Sequence, residues 1–180
     1  MLEIVLLTIL EEIKKKIMKI KNGYILDNVI GGEELLWIYN KLIKTPSWTL
    51  SRSSSSKGNA LAFKGFPGLN VETKNNIENE FLAGYFRSII FRVKNILKKE
   101  YSFNLPSEIE RIHVGAKSSF SKTNIHIDSE SKKDWTILGF LNSVWNAGDG
   151  GEFFLDTEKI IYKAGRFVIF PSSVKHDGGY

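Results

Sequence analysis

His126, Asp128 and His176 are the residues of this chain whose types and spacing could do chemistry. They sit in two stretches, Thr123-Asn-Ile-His-Ile-Asp-Ser129 and Pro171-Ser-Ser-Val-Lys-His-Asp177, which lie far apart in sequence. If Thr123–Asp128 is a β-strand, its side chains alternate between faces, so His126 and Asp128 project from the same side. His176 then completes a set of two imidazoles and one carboxylate, the facial triad that holds ferrous iron with open coordination positions. Neutral imidazoles and a single carboxylate hold Fe(II) firmly, yet leave the site positively charged with room for other ligands. The plain alternative is that His126 and Asp128 are the polar face of an ordinary strand. The pair alone does not decide between the two, because a His followed two places on by an Asp arises easily by chance.

The surrounding pattern favours the first reading. Glu108–Val114, Asn124–Asp128, Trp135–Asn142, Glu152–Asp156, Ile160–Tyr162 and Arg166–Phe170 are short runs rich in β-branched and aromatic residues. Gly115, Gly148-Asp149-Gly150-Gly151, Ala164-Gly165 and Pro171 separate them as turn formers. Such a series suggests an antiparallel barrel or jelly roll, backed by helices from the first half of the chain. In that architecture the stretch between His126 and His176 is long enough for several strands to go around the barrel and return. Gly150-Gly151 reads as a tight turn needing positive φ.

The first half is helical in pattern. Leu2, Val5, Leu6, Ile9, Ile13, Ile17 and Ile20 recur at spacings of three and four, which predicts an amphipathic helix over residues 1–22. Its lysines follow the apolar run instead of preceding it, unlike a signal peptide, and Ile4–Leu10 is far too short to span a bilayer. Met18 is an alternative start, which would make the first 17 residues an extension. Tyr24–Ile30 reads as a strand, broken by Gly31-Gly32. Glu33 and Glu34 then open a helix ended by Thr45-Pro46. Trp48–Leu50 suggests a short strand before the polar loop Ser51–Gly58, either a lid or a plain connection. Asn75 to about Lys99 predicts a long helix with Ile77, Phe81, Tyr85, Ile89, Val93 and Ile96 or Leu97 on its buried ridge.

Composition narrows the function. With 180 residues, 42% hydrophobic and 25% charged, the chain fits one ordinary globular domain. It has no cysteine, which excludes disulfides, thiolate zinc sites and a cysteine nucleophile and fits a cytoplasmic protein. A net charge of +5 scattered along the chain points to a solvated surface and away from a specific nucleic-acid partner. No Gly-x-Ser-x-Gly elbow and no phosphate-binding Gly loop ending in Lys-Ser/Thr occurs. Glu108 and Glu110 are close enough for paired carboxylates, but at a strand start they read as solvated.

Six motifs in register resemble one family. His126-Ile-Asp128, Trp135-Thr-Ile-Leu-Gly-Phe-Leu-Asn142, Trp145, Gly150-Gly-Glu152, Gly165-Arg-Phe-Val-Ile-Phe170 and His176 are similar, in order and spacing, to the iron(II)- and 2-oxoglutarate-dependent oxygenases, in particular the prolyl-hydroxylase branch. The resemblance runs from about Tyr24 to the C-terminus, so residues 23–180 would be the oxygenase domain. It implies a double-stranded β-helix fold, α+β or mainly β in class, with His126, Asp128 and His176 as iron ligands. It implies Fe(II), 2-oxoglutarate and O2 as cofactor and co-substrates, with ascorbate as an accessory. The expected reaction is oxidative decarboxylation of 2-oxoglutarate to succinate, coupled to hydroxylation of a protein side chain or a small metabolite.

On this resemblance Thr136, Leu138 and Phe140 share a strand face that would line the co-substrate pocket, although Leu138 and Phe140 suit plain core packing equally. Phe140 stands where prolyl hydroxylases often carry Tyr. His113 lies near a position where relatives place a co-substrate-touching Tyr, and it also fits a structural histidine. Relatives carry Arg or Lys on a further strand about ten residues past the distal histidine, to pair with the far carboxylate of 2-oxoglutarate. Tyr180 ends the sequence before that position, which suggests a C-terminally incomplete domain lacking its last strand or strands. Arg166 matches a recurrent structural arginine of the family and not a substitute for it. Two alternatives remain: a cupin-like metal barrel without 2-oxoglutarate, and a non-catalytic fragment or binding module.

Overall fold

The computed structural model describes residues 17–45, 49–52, 65–116, 124–146 and 148–178. Along the chain, β1 (Ile17–Ile20) and β2 (Gly23–Leu26) form a hairpin, followed by α1 (Gly32–Ile43). Then come β3 (Thr49–Arg52), β4 (Gly65–Thr73), β5 (Asn76–Ile77) and the long helix α2 (Glu80–Tyr101). The second half is β6 (Arg111–Gly115), β7 (Trp135–Gly139), β8 (Phe153–Leu155), β9 (Glu158–Ile160), β10 (Phe167–Pro171) and β11 (His176–Gly178). One sheet has the order β1-β2-β10-β7, a second the order β11-β8-β9, and in a third β4 pairs with β3, β5 and β6. All of these pairings are antiparallel.

Period-two alternation gives the first sheet two working faces. Tyr24 and Leu26 of β2, Ile137 of β7, and Phe167 and Ile169 of β10 pack into a cluster with the helices, through Leu35, Ile38 and Leu42 of α1 and Leu82, Ile89, Val93 and Leu97 of α2. Ile25, Leu138, Val168 and Phe170 point the other way. They meet Phe153, Leu155 and Ile160 of the second sheet, with Phe140 just beyond β7. The helices therefore back one face of the first sheet, and the second sheet covers the other. The contact between β2 and β10 is close: a Cβ on Gly23 would run into the carbonyl oxygen of Ile169.

Several sequence expectations change here. The amphipathic helix predicted for residues 1–22 does not extend over Ile17–Ile20, which form strand β1 against β2; residues 1–16 lie outside the described residues. Ile17 and Ile20, three apart, fit a helical spacing, but pairing with β2 satisfies their backbone instead. Helix α2 starts at Glu80 and not at Asn75, because Asn76 and Ile77 pair back onto β4 and the Asn79 side chain accepts a hydrogen bond from the Leu82 amide as N-cap. Its buried stripe begins with Leu82 and Ala83, while Ile77 and Phe81 are exposed. Asn124–Asp128 is not a regular strand and makes a single bridge, His126 to His176. Of the Ser51–Gly58 loop, Ser51 and Arg52 belong to β3 and the remainder lies outside the described residues.

The ends of β2 and β10 are pinned by a buried ionic cluster. Asp27, only 3% exposed at its side chain, accepts from Arg166 Nε at 2.7 Å and Nη2 at 3.0 Å, and from Lys163 Nζ at 3.0 Å. Burial alone would push the Asp27 carboxyl up, but the two cations outweigh it and hold it below its ordinary value. A carboxylate with a depressed pKa stabilises the fold above its unfolded pKa of about 3.9, and that contribution is lost as the pH falls through the depressed value. Removing one partner of a buried pair leaves the other charge uncompensated, at a cost of about 3–5 kcal/mol. Asp27→Asn should lower the urea-unfolding free energy by that order at pH 7. The gap to wild type should narrow as the pH falls below about 4; a gap constant across that range would contradict the assignment.

Candidate metal centre

Two backbone segments remote in sequence are tied together at the site. The His126 amide donates to the His176 carbonyl at 3.0 Å, and the His176 amide donates back to the His126 carbonyl at 2.9 Å. Two residues further on, the amides of Asp128 and Ser129 both donate to the Ser172 carbonyl, at 2.9 and 3.2 Å. His176 opens β11, which pairs onward with β8 opposite Leu155. The segment carrying His126 and Asp128 is thus laid along the edge of the second sheet, one position beyond β11.

The three side chains converge from this frame. One ligand atom from each of His126, Asp128 and His176 lies within 4.8 Å of the others. Asp128 Oδ1 is 3.7 Å from His126 Nε2 and 3.6 Å from His176 Nε2, and the two rings are 4.3 Å apart at their centres. Each imidazole places Nδ1 at 2.9 Å from a backbone carbonyl two residues earlier, Asn124 for His126 and Val174 for His176. A carbonyl only accepts, so each Nδ1 carries a proton, which leaves Nε2 as the nitrogen that faces the centre and can offer a lone pair to a metal. That is the arrangement by which an outer contact fixes a metal-binding tautomer. Bonds of ~2.0–2.2 Å put neighbouring ligand atoms about 3 Å apart, so the donor set fits a divalent ion after a small inward shift.

The remaining contacts are unequal. His176 is 6% exposed and rests against Phe170 and Phe153, whose ring centres are 4.9 and 5.7 Å away. The side chains of His126 and Asp128 stay partly open, at 30% and 25%. Asp128 Oδ2 accepts from the Thr136 hydroxyl at 2.7 Å, and Thr136 in turn contacts the Ser172 hydroxyl at 2.9 Å. Burial raises the Asp128 carboxyl, but His176 and Thr136 overcome this and hold it below its ordinary value. Burial likewise depresses His176, but Asp128, the Val174 carbonyl and Asp177 together more than reverse it, so the His176 pKa lies above that of a free imidazole.

Of the other residues singled out in the sequence, Thr136 lies beside the centre with its hydroxyl on Asp128. Phe140 is buried in the cluster between the sheets and stacks on Tyr162 at 4.7 Å, which stacks on Trp145 at 4.4 Å. His113 is on β6, in register with Asn70 of β4, and is not one of the three residues of the metal-holding group. Arg166 is occupied by Asp27. Glu108 and Glu110 both pair with the exposed Lys74 and form no carboxylate dyad at a site. Ser172 was not singled out, although it lies in the stretch that ends in His176. A serine directly after an apolar strand carries no signal of its own; its place between Asp128 and Thr136 appears only in three dimensions.

The fold belongs to the class in which a prolyl hydroxylase is also found. The chain is similar to the crystal structure of a Pseudomonas putida prolyl-4-hydroxylase, with a TM-score of 0.60 over 88% of this chain and 86% of that one, at 12% sequence identity. No known protein family matches at the level of sequence, and no curated protein does. No helix among the described residues is long and apolar enough to cross a membrane.

Where the His176 imidazole is charged, a metal must displace its Nε2 proton, so binding has to strengthen with pH. The protonated imidazole's contribution to stability is present below the ordinary histidine pKa of about 6.5 and is lost as the pH rises through the raised value. Metal affinity should therefore fall steeply as the pH is lowered through that same range. Co(II) titrations at a series of pH values check this; an affinity flat from pH 8 to pH 6 would contradict it.

Proposed function

We propose that this chain is an Fe(II)- and 2-oxoglutarate-dependent dioxygenase. On this reading it hydroxylates a C–H bond of a protein side chain, as prolyl hydroxylases do, or of a small metabolite, with conversion of 2-oxoglutarate to succinate. The carrying observation is the convergence of His126 Nε2, His176 Nε2 and Asp128 Oδ1, with both Nδ1 atoms already occupied by backbone carbonyls. The likeness in fold to a prolyl-4-hydroxylase supports it. The two sheets that share the second apolar cluster are then the halves of a double-stranded β-helix, and the triad stands at its mouth.

Iron bound with 2-oxoglutarate would supply the activation of O2, whose one oxygen atom would go to the C–H bond and whose other would go to succinate as 2-oxoglutarate is oxidised with loss of CO2. The chain's part is to hold and shield. His126 and His176 offer neutral, pre-oriented donors, and Asp128 adds the one negative charge. Phe153 and Phe170 exclude water behind His176. Thr136, Leu138 and Phe140 follow one another along the inward face of β7 and its extension, a line running from the metal ligands into the apolar interior where a co-substrate would lie. Phe140 brings no hydroxyl to that pocket, and His113 is the remaining candidate for a polar contact. The loop beside Asp128 is held by its own bonds, from Ser129 Oγ to Asp134 at 2.6 Å and from the Ser131 amide to Ser129 Oγ at 3.1 Å, and forms the rim a substrate would meet.

The alternative reading is a cupin-like metal barrel without 2-oxoglutarate. Arg166, at the head of β10, is tied to Asp27 in keeping with a structural role and does not tell the two readings apart. Incubation of the purified protein with Fe(II), 2-oxoglutarate, O2 and ascorbate separates the readings. Succinate should form, and His126→Ala or His176→Ala should reduce it to the metal-free background. Iron binding with no affinity for 2-oxoglutarate would install the cupin-like reading. Failure to bind any divalent metal would leave a binding module.

A further inference from the structure

The hydroxyl of Thr136 carries one proton, and the ionised Asp128 can only accept. That proton therefore lies on the 2.7 Å contact to Asp128 Oδ2. The 2.9 Å contact between Thr136 Oγ1 and Ser172 Oγ must then take its proton from Ser172. The result is a one-way chain, Ser172 to Thr136 to Asp128. Ser172 is buried and is itself fixed on both sides, since its carbonyl accepts from the Asp128 and Ser129 amides and its own amide donates to the Asp134 carbonyl at 2.9 Å. Backbone and side chain of Asp128 are both referenced to this one serine. The other carboxylate oxygen, Oδ1, faces the two imidazole nitrogens.

We infer that Thr136, backed by Ser172, is a positioning residue that makes Asp128 a one-oxygen ligand and so keeps a coordination position of the ion open. A carboxylate can bind a metal through one oxygen or through both; chelation through both would fill a position that the open-sided triad leaves to other ligands. The hydrogen bond from Thr136 occupies Oδ2 and holds the carboxylate plane against that rotation. This deepens the metal-centre reading above and rests on it.

Titration of the metal-free protein with Co(II), read by its visible absorption band, tests the inference without turnover. Thr136→Val keeps the shape and removes the proton; it should raise the Co(II) Kd about ten- to a hundredfold, the range found when an outer-shell partner of a ligand is lost. It should also alter the band, because the coordination number changes. Thr136→Ser should restore both Kd and spectrum, and Ser172→Ala should weaken binding less than Thr136→Val. If metal-free Thr136→Val does not fold in a thermal melt, Ser172→Ala carries the comparison, and a wild-type Kd and spectrum there would overturn the inference. Wild-type binding and spectrum in folded Thr136→Val, or no recovery in Thr136→Ser, would overturn it equally. A wild-type chain that forms no Co(II) complex would instead bring down the metal-centre reading beneath it.

Discussion

The reciprocal pair of backbone hydrogen bonds between His126 and His176 is the constraint on which the candidate centre depends. Side-chain convergence follows from it. Once the two residues face each other across a bridge, both imidazoles emerge on one side, and Asp128, two positions on, joins them because alternation returns it to that side. The carbonyls of Asn124 and Val174 then settle the remaining freedom, the rotation and tautomer of each ring. The same local rule acts twice, a histidine turning Nδ1 back on the carbonyl two residues before it. All of these contacts are made within the chain itself.

That bridge is held in place by the layered packing behind it. β7 and β10 each send alternate side chains to opposite apolar clusters, one shared with the helices and one with the second sheet. A register slip by one residue in either strand would exchange the two sets and move Thr136 away from Asp128. The ion pair of Asp27 with Arg166 and Lys163 works against such a slip, since it ties the end of β2 to the lead-in of β10. Packing and buried charge thus specify the same register, and the position of the triad follows from that register.

How much of this was legible in the sequence differs from element to element. The convergence of His126, Asp128 and His176 could be read from residue type and order, because few combinations of side chains hold a ferrous ion and the intervening strands make their meeting feasible. The structure of the segment was misread, since Asn124–Asp128 looks like a strand in composition yet makes only one bridge. β4 has little strand signal in the sequence, because Gly65, Pro67 and Gly68 interrupt its apolar pattern; Pro67 is nevertheless paired with Leu50, at the end of β4 away from the bulge near Asn70. The helical reading of Ile17 and Ile20 failed for the opposite reason. A spacing of three over four residues cannot separate a helix from a strand, and the available partner, β2, decides. The Ser172–Thr136–Asp128 chain was not legible at all, because it joins three hydroxyl or carboxyl groups from three separate segments.

The unequal shielding of the three ligands has a geometric consequence. Among the described residues His176 is walled off by the rings of Phe153 and Phe170, whereas the side chains of His126 and Asp128 stay partly open, so the less shielded flank of the donor set is the one that carries the carboxylate.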